Sequence, residues 1–423
     1  MTALNAAGFD GAGVGPKLSA MLPDTMPSVS QLLEEADVRA ASEYILATDD
    51  QTLAHQIGLT EIPAPLFGEE TRGRRMAALL DEAGLSDVHQ DEVGNVLALR
   101  PGAQDREPLV LSAHLDTVFP AGTDVRVRVD GDVLRAPGIS DDSRGLAALV
   151  AVVRALSEAG ITTRRPILFA ATVGEEGSGD LRGVRHLFGA GGVASGAAGF
   201  ISLDGAGLSY LVTRGLGVRR LRVSLFGHGG HSWIDWGAPN PIHALGRAVG
   251  ALAAWPKPTD PTLSLTVARW GGGTSVNAIP AEAWIDLDLR SESGRHLHDG
   301  EERLRVVLDR SVAEENSGAT AEDDRLHLEV TVIGHRPTGV TDLDSPLVEA
   351  ALAATRAAGV EPQVTAASTD ANLPMSLGIP AITLGAGGSA GEVHTTNEWY
   401  RNEDGPVGIQ RALHTVLLAS GVG

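Results

Sequence analysis

Five segments of the chain place possible metal ligands at the ends of apolar stretches. They are HLD at 114–116, GISDDSRG at 138–145, GEEGSGD at 174–180, SLDG at 202–205 and EVHTTNEW at 392–399. Histidine nitrogens and carboxylate oxygens bind zinc-like and manganese-like ions. Because the carboxyl ends of parallel strands meet at one edge of a sheet, we expect the five segments to lie close together.

Each segment also has an ordinary explanation when it is taken alone. The HLD segment could be a polar surface pair, and the two aspartates of GISDDSRG could cap the helix that follows them. The two glutamates could lie in a solvated loop, and His394 could be a structural histidine. Taken together, the five segments predict a hydrolytic site in which one carboxylate bridges two divalent ions.

The composition excludes several other classes of protein. The 423 residues include 33 Lys plus Arg, 54 Asp plus Glu and no cysteine, which gives a net charge of −21. The absence of cysteine excludes thiolate nucleophiles and cysteine-bound metals, and the acidic balance argues against a nucleic-acid partner. Lysine occurs only at Lys17 and Lys257, which leaves few candidates for Schiff-base chemistry.

The N-terminal segment indicates neither a cofactor site nor a membrane partner. GAGVG at 11–15 follows no strand, so we reject a dinucleotide site there. The segment lacks the pattern of a signal peptide, and no stretch of the chain has the ~20 apolar residues of a membrane span. We therefore predict a cytoplasmic enzyme with a loose arm over residues 1–29.

The order of strands and helices predicts two structural units. Apolar strands are predicted at 95–100, 108–113, 167–173, 199–203 and 381–384, and helices at 30–47, 72–83, 143–159, 346–358 and 406–419. This α/β alternation is typical of a mixed, mostly parallel sheet that is buried on both faces. Residues 214–334 instead follow the β-α-β-β-α-β order of a ferredoxin-like fold. We therefore predict a catalytic domain in two parts, residues 1–213 and 335–423, with the ferredoxin-like domain inserted between them.

The order of the five segments resembles the dinuclear-zinc peptidases and deacylases of family M20, over nearly the whole chain from about residue 30. The family includes tripeptide aminopeptidase, glutamate carboxypeptidase, carnosinase, succinyl-diaminopimelate desuccinylase and acetylornithine deacetylase. The resemblance implies a zinc-exopeptidase-like catalytic domain with a ferredoxin-like lid, through which two chains usually form a homodimer. It also implies two divalent ions, with zinc expected and cobalt or manganese as alternatives.

The resemblance assigns five residues as metal ligands. They are His114, Asp141, Glu176, Asp204 and His394. Asp141 would bridge both ions, and its peptide bond to Asp142 is expected to be cis. His114 and Asp204 would complete one ion, and the other two ligands would complete the second.

The catalytic residues implied by the resemblance come from both units. Glu175 would be the general base, which takes a proton from the bridging water and delivers it to the leaving amine. Asp116 would orient His114. His231, in the segment GHGGHSW, would reach across the dimer and stabilise the oxyanion, although a hydrogen-bonded histidine in the lid core is the alternative.

Further residues match positions that hold the substrate in this family. They are Asn277 in SVNAIP, Arg290 in DLDLR, and Ser368, Thr369 and Asp370 in ASTDANLP. Arg290 would grip a carboxylate with two hydrogen bonds. Asp370 would hold the free amine of an aminopeptidase substrate, a contact that a deacylase does not need.

Two features bear on which branch of the family the chain resembles. The segment DDSRG replaces the common DDKGG, so that Arg144 retains positive charge but not shape. Asp204 stands where several deacylases have glutamate, which favours a di- or tripeptide exopeptidase of the tripeptide-aminopeptidase-like branch. An N-acyl-amino-acid amidohydrolase or a carboxypeptidase is the alternative, and a non-catalytic binding protein is disfavoured because the ligands and the base are all present.

Overall fold

The computed structural model describes residues 28–256, 258–319 and 321–423. The arm predicted over residues 1–29 therefore lies almost wholly outside the described residues, and the GAGVG segment lies wholly outside them. No helix in the described ranges is long and apolar enough to cross a membrane.

The described residues form eleven α-helices and nineteen strands. The helices are α1 (Val29–Glu34), α2 (Ala36–Ala47), α3 (Asp49–Thr60), α4 (Glu70–Glu82), α5 (Ser143–Glu158), α6 (Arg182–Phe188), α7 (Pro241–Ala253), α8 (Gly294–Asn316), α9 (Pro346–Ala357), α10 (Asn372–Ser376) and α11 (Gly405–Ser420). The strands are β1 (His89–Gln90), β2 (Val96–Arg100), β3 (Leu109–His114), β4 (Arg128–Asp130), β5 (Val133–Arg135), β6 (Ile167–Thr172), β7 (Gly199–Leu203), β8 (Tyr210–Gly215), β9 (Gly217–Phe226), β10 (Gly230–His231), β11 (Leu263–Gly272), β12 (Ala278–Ile279), β13 (Glu282–Ser291), β14 (His327–Arg336), β15 (Gly339–Val340), β16 (Gln363–Ala367), β17 (Ala381–Leu384), β18 (Ser389–Gly391) and β19 (Trp399–Arg401).

The largest sheet positions the predicted site. Its strand order is β1-β2-β6-β3-β7-β17-β8-β15, and β16 also pairs with β8. The adjacent strands β6, β3, β7 and β17 are parallel, which confirms the mixed, mostly parallel sheet. Every residue of β3 and β6 is buried, because α2, α5 and α11 pack on one face and α6 packs on the other. The carboxyl ends of these strands therefore meet at one edge.

A second sheet has the strand order β11-β13-β9-β14. With α7 after β9 and α8 after β13, it follows the ferredoxin-like order. Leu221, Val223 and Leu225 of β9 are buried in a cluster that includes residues of α7 and α8. Alternate residues of a strand point to opposite faces, so Arg220, Arg222 and Ser224 of β9 lie on the face away from the helices. We call the segment from β9 to β14 the lid.

The single helix predicted over residues 30–47 is wrong. The chain leaves the helix at Glu35, which has extended backbone (φ −64°, ψ 133°) and separates α1 from α2. Apolar spacing persists across this break, so the pattern could not reveal it. Helix α3 was not predicted, because its buried face includes the polar residues Thr52, Gln56 and Thr60, which weaken the apolar periodicity.

We predict that His414 in α11 makes the protein less stable in mild acid. Its side chain is buried against α2, where Nε2 lies 2.9 Å from Ser42 Oγ, and burial lowers its pKa to about 4. The unfolded chain has an ordinary histidine pKa near 6.5, so it binds a proton at a higher pH than the folded chain does. Protonation therefore favours unfolding, and the stability falls as the pH drops. Between pH 7.5 and pH 5.5, this histidine alone should lower the free energy of unfolding by about 1 kcal/mol.

The measurement is urea unfolding of the wild type and His414→Gln across that pH range, which stays above the isoelectric point near 5.0. The wild type should lose more stability than the variant. His298→Gln, which changes an exposed histidine, is the control and should follow the wild type. Parallel curves for His414→Gln and the wild type would contradict the prediction.

Candidate metal centre

Four segments bring predicted metal ligands into contact. His114 ends β3, Asp141 lies just before α5, Glu176 follows β6, and His394 lies between β18 and β19. His114 Nε2 lies 2.9 Å from Asp141 Oδ1, and His394 Nε2 lies 2.9 Å from Asp141 Oδ2. His394 Nε2 also lies 2.8 Å from Glu176 Oε1. Ligand atoms of His114, Asp141 and Glu176 all lie within 4.8 Å of one another.

Asp141 directs one carboxylate oxygen toward each histidine. Asp204, directly after β7, lines a cavity of about 460 Å³ together with Asp141. Burial and the charge of Asp141 raise the pKa of Asp204 well above its usual range. Although burial opposes it, hydrogen bonds with His114 and His394 lower the pKa of Asp141. Closely spaced, partly buried carboxylates favour a cation between them, and this sulfur-free donor set fits two ions of the zinc or manganese type.

Asp116 organises the loop that carries both glutamates. Its Oδ1 accepts the backbone N–H of Glu175 at 3.0 Å, and its Oδ2 accepts that of Glu176 at 2.8 Å. His114 Nδ1 lies 3.0 Å from the backbone oxygen of Asp116 and 3.9 Å from its carboxylate. The nearest Asp116 group to the His114 ring is therefore the backbone carbonyl, whereas the carboxylate positions the glutamates.

Asp142 connects three parts of the site. It is buried, and its Oδ1 accepts the N–H groups of Gly145 and Gly205 at 3.0 Å, whereas its Oδ2 accepts that of His114 at 2.9 Å. The Asp141–Asp142 peptide bond is cis, as the resemblance implied. Asp142 thus joins the end of β3, the start of α5 and the turn after β7.

Glu175, the predicted base, is 5% exposed and pairs with a residue at the end of the lid. Arg336 Nη1 lies 2.8 Å from Glu175 Oε1, and Arg336 Nη2 donates to the backbone oxygen of Glu175. Burial raises the pKa of Glu175 to about 8, although Arg336 acts in the opposite direction. A carboxyl group that titrates near neutral pH can both accept and donate a proton.

Sequence reasoning missed Arg336, although its side chain is only 4% exposed. Its partner lies 161 positions away along the chain, so no local spacing indicates the contact. The one signal was a charged residue just after the predicted ferredoxin-like domain, residues 214–334.

Sequence reasoning also missed Glu398, four residues after His394 in EVHTTNEW. Its fully buried carboxylate accepts backbone N–H groups from Gly138 at 3.0 Å, Ser140 at 2.8 Å and Asp141 at 3.0 Å. Burial raises the pKa of Glu398 to about 7, and the three N–H groups oppose that shift. Glu398 therefore fixes the backbone that presents the Asp141 carboxylate.

Glu398→Gln should lower both stability and zinc affinity. One amide oxygen can still accept, but the NH2 group would face a backbone N–H, so we expect a loss of about 1–3 kcal/mol in the free energy of unfolding. Changes to groups that position metal ligands typically weaken binding about 10–100-fold. Urea unfolding and zinc titration of the apoprotein measure the two effects, with the exposed Glu392→Gln as the control. Lower stability with unchanged zinc affinity would show that Glu398 does not act on the metal centre.

The structure places His231 and Asn277 together in the lid. Strand β10, which includes His231, pairs with β12, which directly follows Asn277. His231 is exposed, and its Nδ1 accepts the backbone N–H of Trp233 at 3.2 Å. Arg290 also lies in the lid, where its Nε donates to Asp288 Oδ1 at 2.7 Å. The hydrogen bonds of these three predicted residues are thus to other lid residues.

The three predicted substrate residues after β16 have different surroundings. Ser368 Oγ accepts from Arg336 Nη1 at 3.2 Å, so it lies beside the guanidinium group that holds the predicted base. Thr369 and Asp370 are buried. Asp370 Oδ2 accepts the hydroxyl of Thr172 at 2.6 Å, and burial raises the pKa of Asp370 to about 6.

Arg144, the unusual residue of DDSRG, packs behind the site. Its Nε donates to the backbone oxygen of Ala386 at 2.8 Å, and its Nη2 donates to that of Gly405 at 2.7 Å. Its guanidinium group also lies over the Tyr400 ring, 5.3 Å from the centroid. The buried arginine therefore ties the first turn of α5 to the loop after β17 and to α11.

The structure is thus a mixed α/β fold with a His–carboxylate cluster that could hold a divalent cation at the carboxyl edge of its sheet. The profile of peptidase family M20/M25/M40 matches residues 110–418, which is most of the chain. The chain belongs to this family, as the order of its segments predicted.

Relatives with sequence similarity cover much of the chain. The protein YqjE of Bacillus subtilis is 26% identical over 74% of this chain and 81% of its own length. The cytosol non-specific dipeptidase of Escherichia coli is 26% identical over 70% of this chain and 68% of its own length. The crystal structure of a Staphylococcus aureus tripeptidase aligns with a TM-score of 0.72 and 19% identity, covering 88% of this chain and 98% of the other. That structural likeness supports the fold.

Proposed function

We propose that the protein is a metal-dependent exopeptidase that hydrolyses amide bonds of di- and tripeptides, in the manner of an aminopeptidase. The observation that carries the proposal is the Asp141 carboxylate between two histidines, with the buried Glu175 in the same loop as Glu176. The dipeptidase and tripeptidase among the relatives agree with peptide substrates. A cytoplasmic location stays a prediction.

The proposed ligands are His114, Asp141, Glu176, Asp204 and His394. Two divalent ions held there, zinc first and cobalt or manganese as alternatives, would polarise the scissile carbonyl and activate a water molecule. Glu175 would accept the proton from that water and pass it to the leaving amine. Arg336 and the two N–H groups held by Asp116 keep Glu175 in place for that transfer.

The function is tested by a substrate screen on metal-free protein reloaded with zinc, cobalt or manganese. Free di- and tripeptides are compared with N-acyl amino acids, and the released products show which end of the peptide is cleaved. Release of N-terminal residues supports the proposal. Preferential hydrolysis of N-acyl amino acids would instead establish an amidohydrolase, release of C-terminal residues would establish a carboxypeptidase, and no hydrolysis with any metal would contradict all three.

We propose that residues 214–334 form an inserted unit and that the lid mediates a homodimer. Three large apolar side chains next to His231 are exposed, namely Trp233 at 84%, Ile234 at 76% and Trp236 at 85%. Apolar groups of this size, so exposed and so close together, favour contact with another protein surface. A twofold partner would cover them and could bring its own His231 to the catalytic site of this chain.

The trans role of His231 predicts complementation between two inactive variants. Glu175→Gln and His231→Ala homodimers should both lose most activity, whereas their heterodimer has one site with both residues and should recover about half of the wild-type rate. Co-expression with two different affinity tags isolates the heterodimer for the assay. An inactive heterodimer, or a fully active monomer, would contradict action across the dimer.

A further inference from the structure

The face of the lid sheet away from α7 and α8 carries four arginines and two aspartates, which we call the arginine face. The members are Arg220, Arg222, Arg269, Arg290, Asp286 and Asp288. Asp288 lies opposite Arg220 in the pairing of β13 with β9, and Asp286 lies opposite both Arg222 on β9 and Arg269 on β11. Opposed residues project from the same face, so these side chains form one continuous surface.

Each aspartate on this face is shared by two arginines. The inner triad consists of Arg220, Asp288 and Arg290, with Nε–Oδ distances of 3.2 Å and 2.7 Å. In the outer triad, Arg222 Nε lies 2.7 Å from Asp286 Oδ1 and Arg269 Nη1 lies 3.5 Å from Asp286 Oδ2. Each triad therefore has one positive charge in excess, in a chain whose net charge is −21.

The outer triad surrounds an aromatic platform. The guanidinium groups of Arg222 and Arg269 lie 4.2 Å and 5.5 Å from the centroid of the Trp284 ring. A Cβ atom at Gly271 would lie 2.5 Å from this indole, so glycine is what lets the ring lie against β11. The exposed acid Glu282 lies two positions before Trp284 in β13, on the same face of the sheet, and its charge acts on Arg222.

The inner end of the arginine face touches the catalytic loop. Arg220 Nη1 donates to the backbone oxygen of Gly177, next to the metal ligand Glu176. Arg222 is two residues further along β9, which is about 7 Å at the rise of a strand. Since an extended peptide advances about 3.5 Å per residue, two residues of a peptide that lies along the arginine face span the distance from Arg220 to Arg222.

We propose that the outer triad, with Trp284, is a distal subsite for the C-terminal carboxylate of a peptide that extends two residues beyond the scissile bond. The inference rests on the proposed peptidase function and specifies its substrate as a tripeptide cleaved after the first residue. Arg269 is the freer cation of the triad, with its side chain 69% exposed. It offers the carboxylate a charge-assisted hydrogen bond, and the indole offers an apolar surface to the last residue.

The test uses the metal-loaded full-length enzyme, the best tripeptide of the screen and the C-terminal amide of the same tripeptide. The wild type should favour the free acid over the amide at least about fivefold in kcat/KM, chiefly through KM. Arg269→Gln should remove most of that preference, and Glu282→Gln should increase it because a competing carboxylate is lost. Arg310→Gln, which removes an exposed arginine from α8 on the other side of the sheet, is the control and should retain the wild-type ratio.

The outcomes separate the subsite from the function. Equal rates for the acid and the amide in the wild type, or an unchanged ratio in Arg269→Gln, would overturn the subsite while leaving the peptidase in place. Cleavage of dipeptides but of no tripeptide would also overturn the subsite and leave the peptidase function in place. Hydrolysis of no peptide at all would overturn the proposed function itself.

Discussion

Glu175→Gln is expected to lower kcat by about 10²- to 10⁴-fold, the usual contribution of a general base. Glutamine keeps the size of the side chain but cannot accept the proton from water or return it to the leaving amine. The backbone N–H groups of residues 175 and 176 still bind Asp116, so the loop and the ligand Glu176 should stay in place. Steady-state kinetics and metal analysis of the same preparation measure both parts of the prediction.

The matched control for this variant is Glu69→Gln. Glu69 is also buried and pairs with an arginine, with 2.8 Å between its Oε1 and Arg182 Nη2. Its replacement tests whether losing a buried glutamate–arginine pair is enough to reduce turnover. We expect Glu69→Gln to retain far more activity than Glu175→Gln. Equal losses, or a parallel loss of metal in Glu175→Gln, would show that Glu175 has a structural role rather than a chemical one.

Asp141→Asn is expected to abolish zinc-dependent stabilisation together with activity. The Asp141 carboxylate directs one oxygen to His114 and the other to His394, which is the geometry expected of the proposed bridging ligand. An amide has only one oxygen ligand and no charge. The other proposed ligands would therefore lose the carboxylate that contacts both histidines. The expected loss of activity is at least about 10³-fold, because the hydrolytic clamp needs both ions.

Thermal unfolding gives the second measurement for Asp141→Asn, independent of turnover. A ligand that binds only the folded state at 1,000 times its Kd stabilises it by about 4 kcal/mol. Zinc should therefore raise the Tm of the metal-free wild type by several degrees and leave that of Asp141→Asn nearly unchanged. Asp124→Asn, which alters an exposed aspartate paired with Arg126, should respond to zinc as the wild type does. A full zinc response in Asp141→Asn would remove Asp141 from the ligand set.

The fold, and the proximity of the main candidate residues, could be predicted because their signals are local. Strands β3, β6, β7 and β17 are short apolar runs between helices, and the polar residues directly after three of them could be assigned to one edge of the sheet. His114, Asp141, Glu176 and His394 do meet there. Family membership and the hydrolase class are confirmed, whereas the roles of the individual residues, the zinc and the dimer stay predictions.

The residues that were missed act through contacts across long stretches of chain. Arg336 holds a carboxylate 161 positions away, and Glu398 accepts N–H groups from the loop before α5, more than 250 positions away. The break at Glu35 was missed for a different reason, because apolar spacing continues across it. For Arg336 and Glu398, the deciding interaction involves a backbone group or a distant partner that periodicity and spacing do not register.

The sequence by itself determined the donor chemistry, since a chain without cysteine must bind metal through histidine and carboxylate, and the order of its segments determined the family. Only the tertiary structure decided which arginine holds Glu175, that Glu398 binds the backbone N–H of Asp141, and that the lid arginines share their aspartates in two triads. The physical reason is that ligand type is a property of each side chain. Pairing depends on distances of about 3 Å between atoms, and those distances arise when separate strands pack into one sheet.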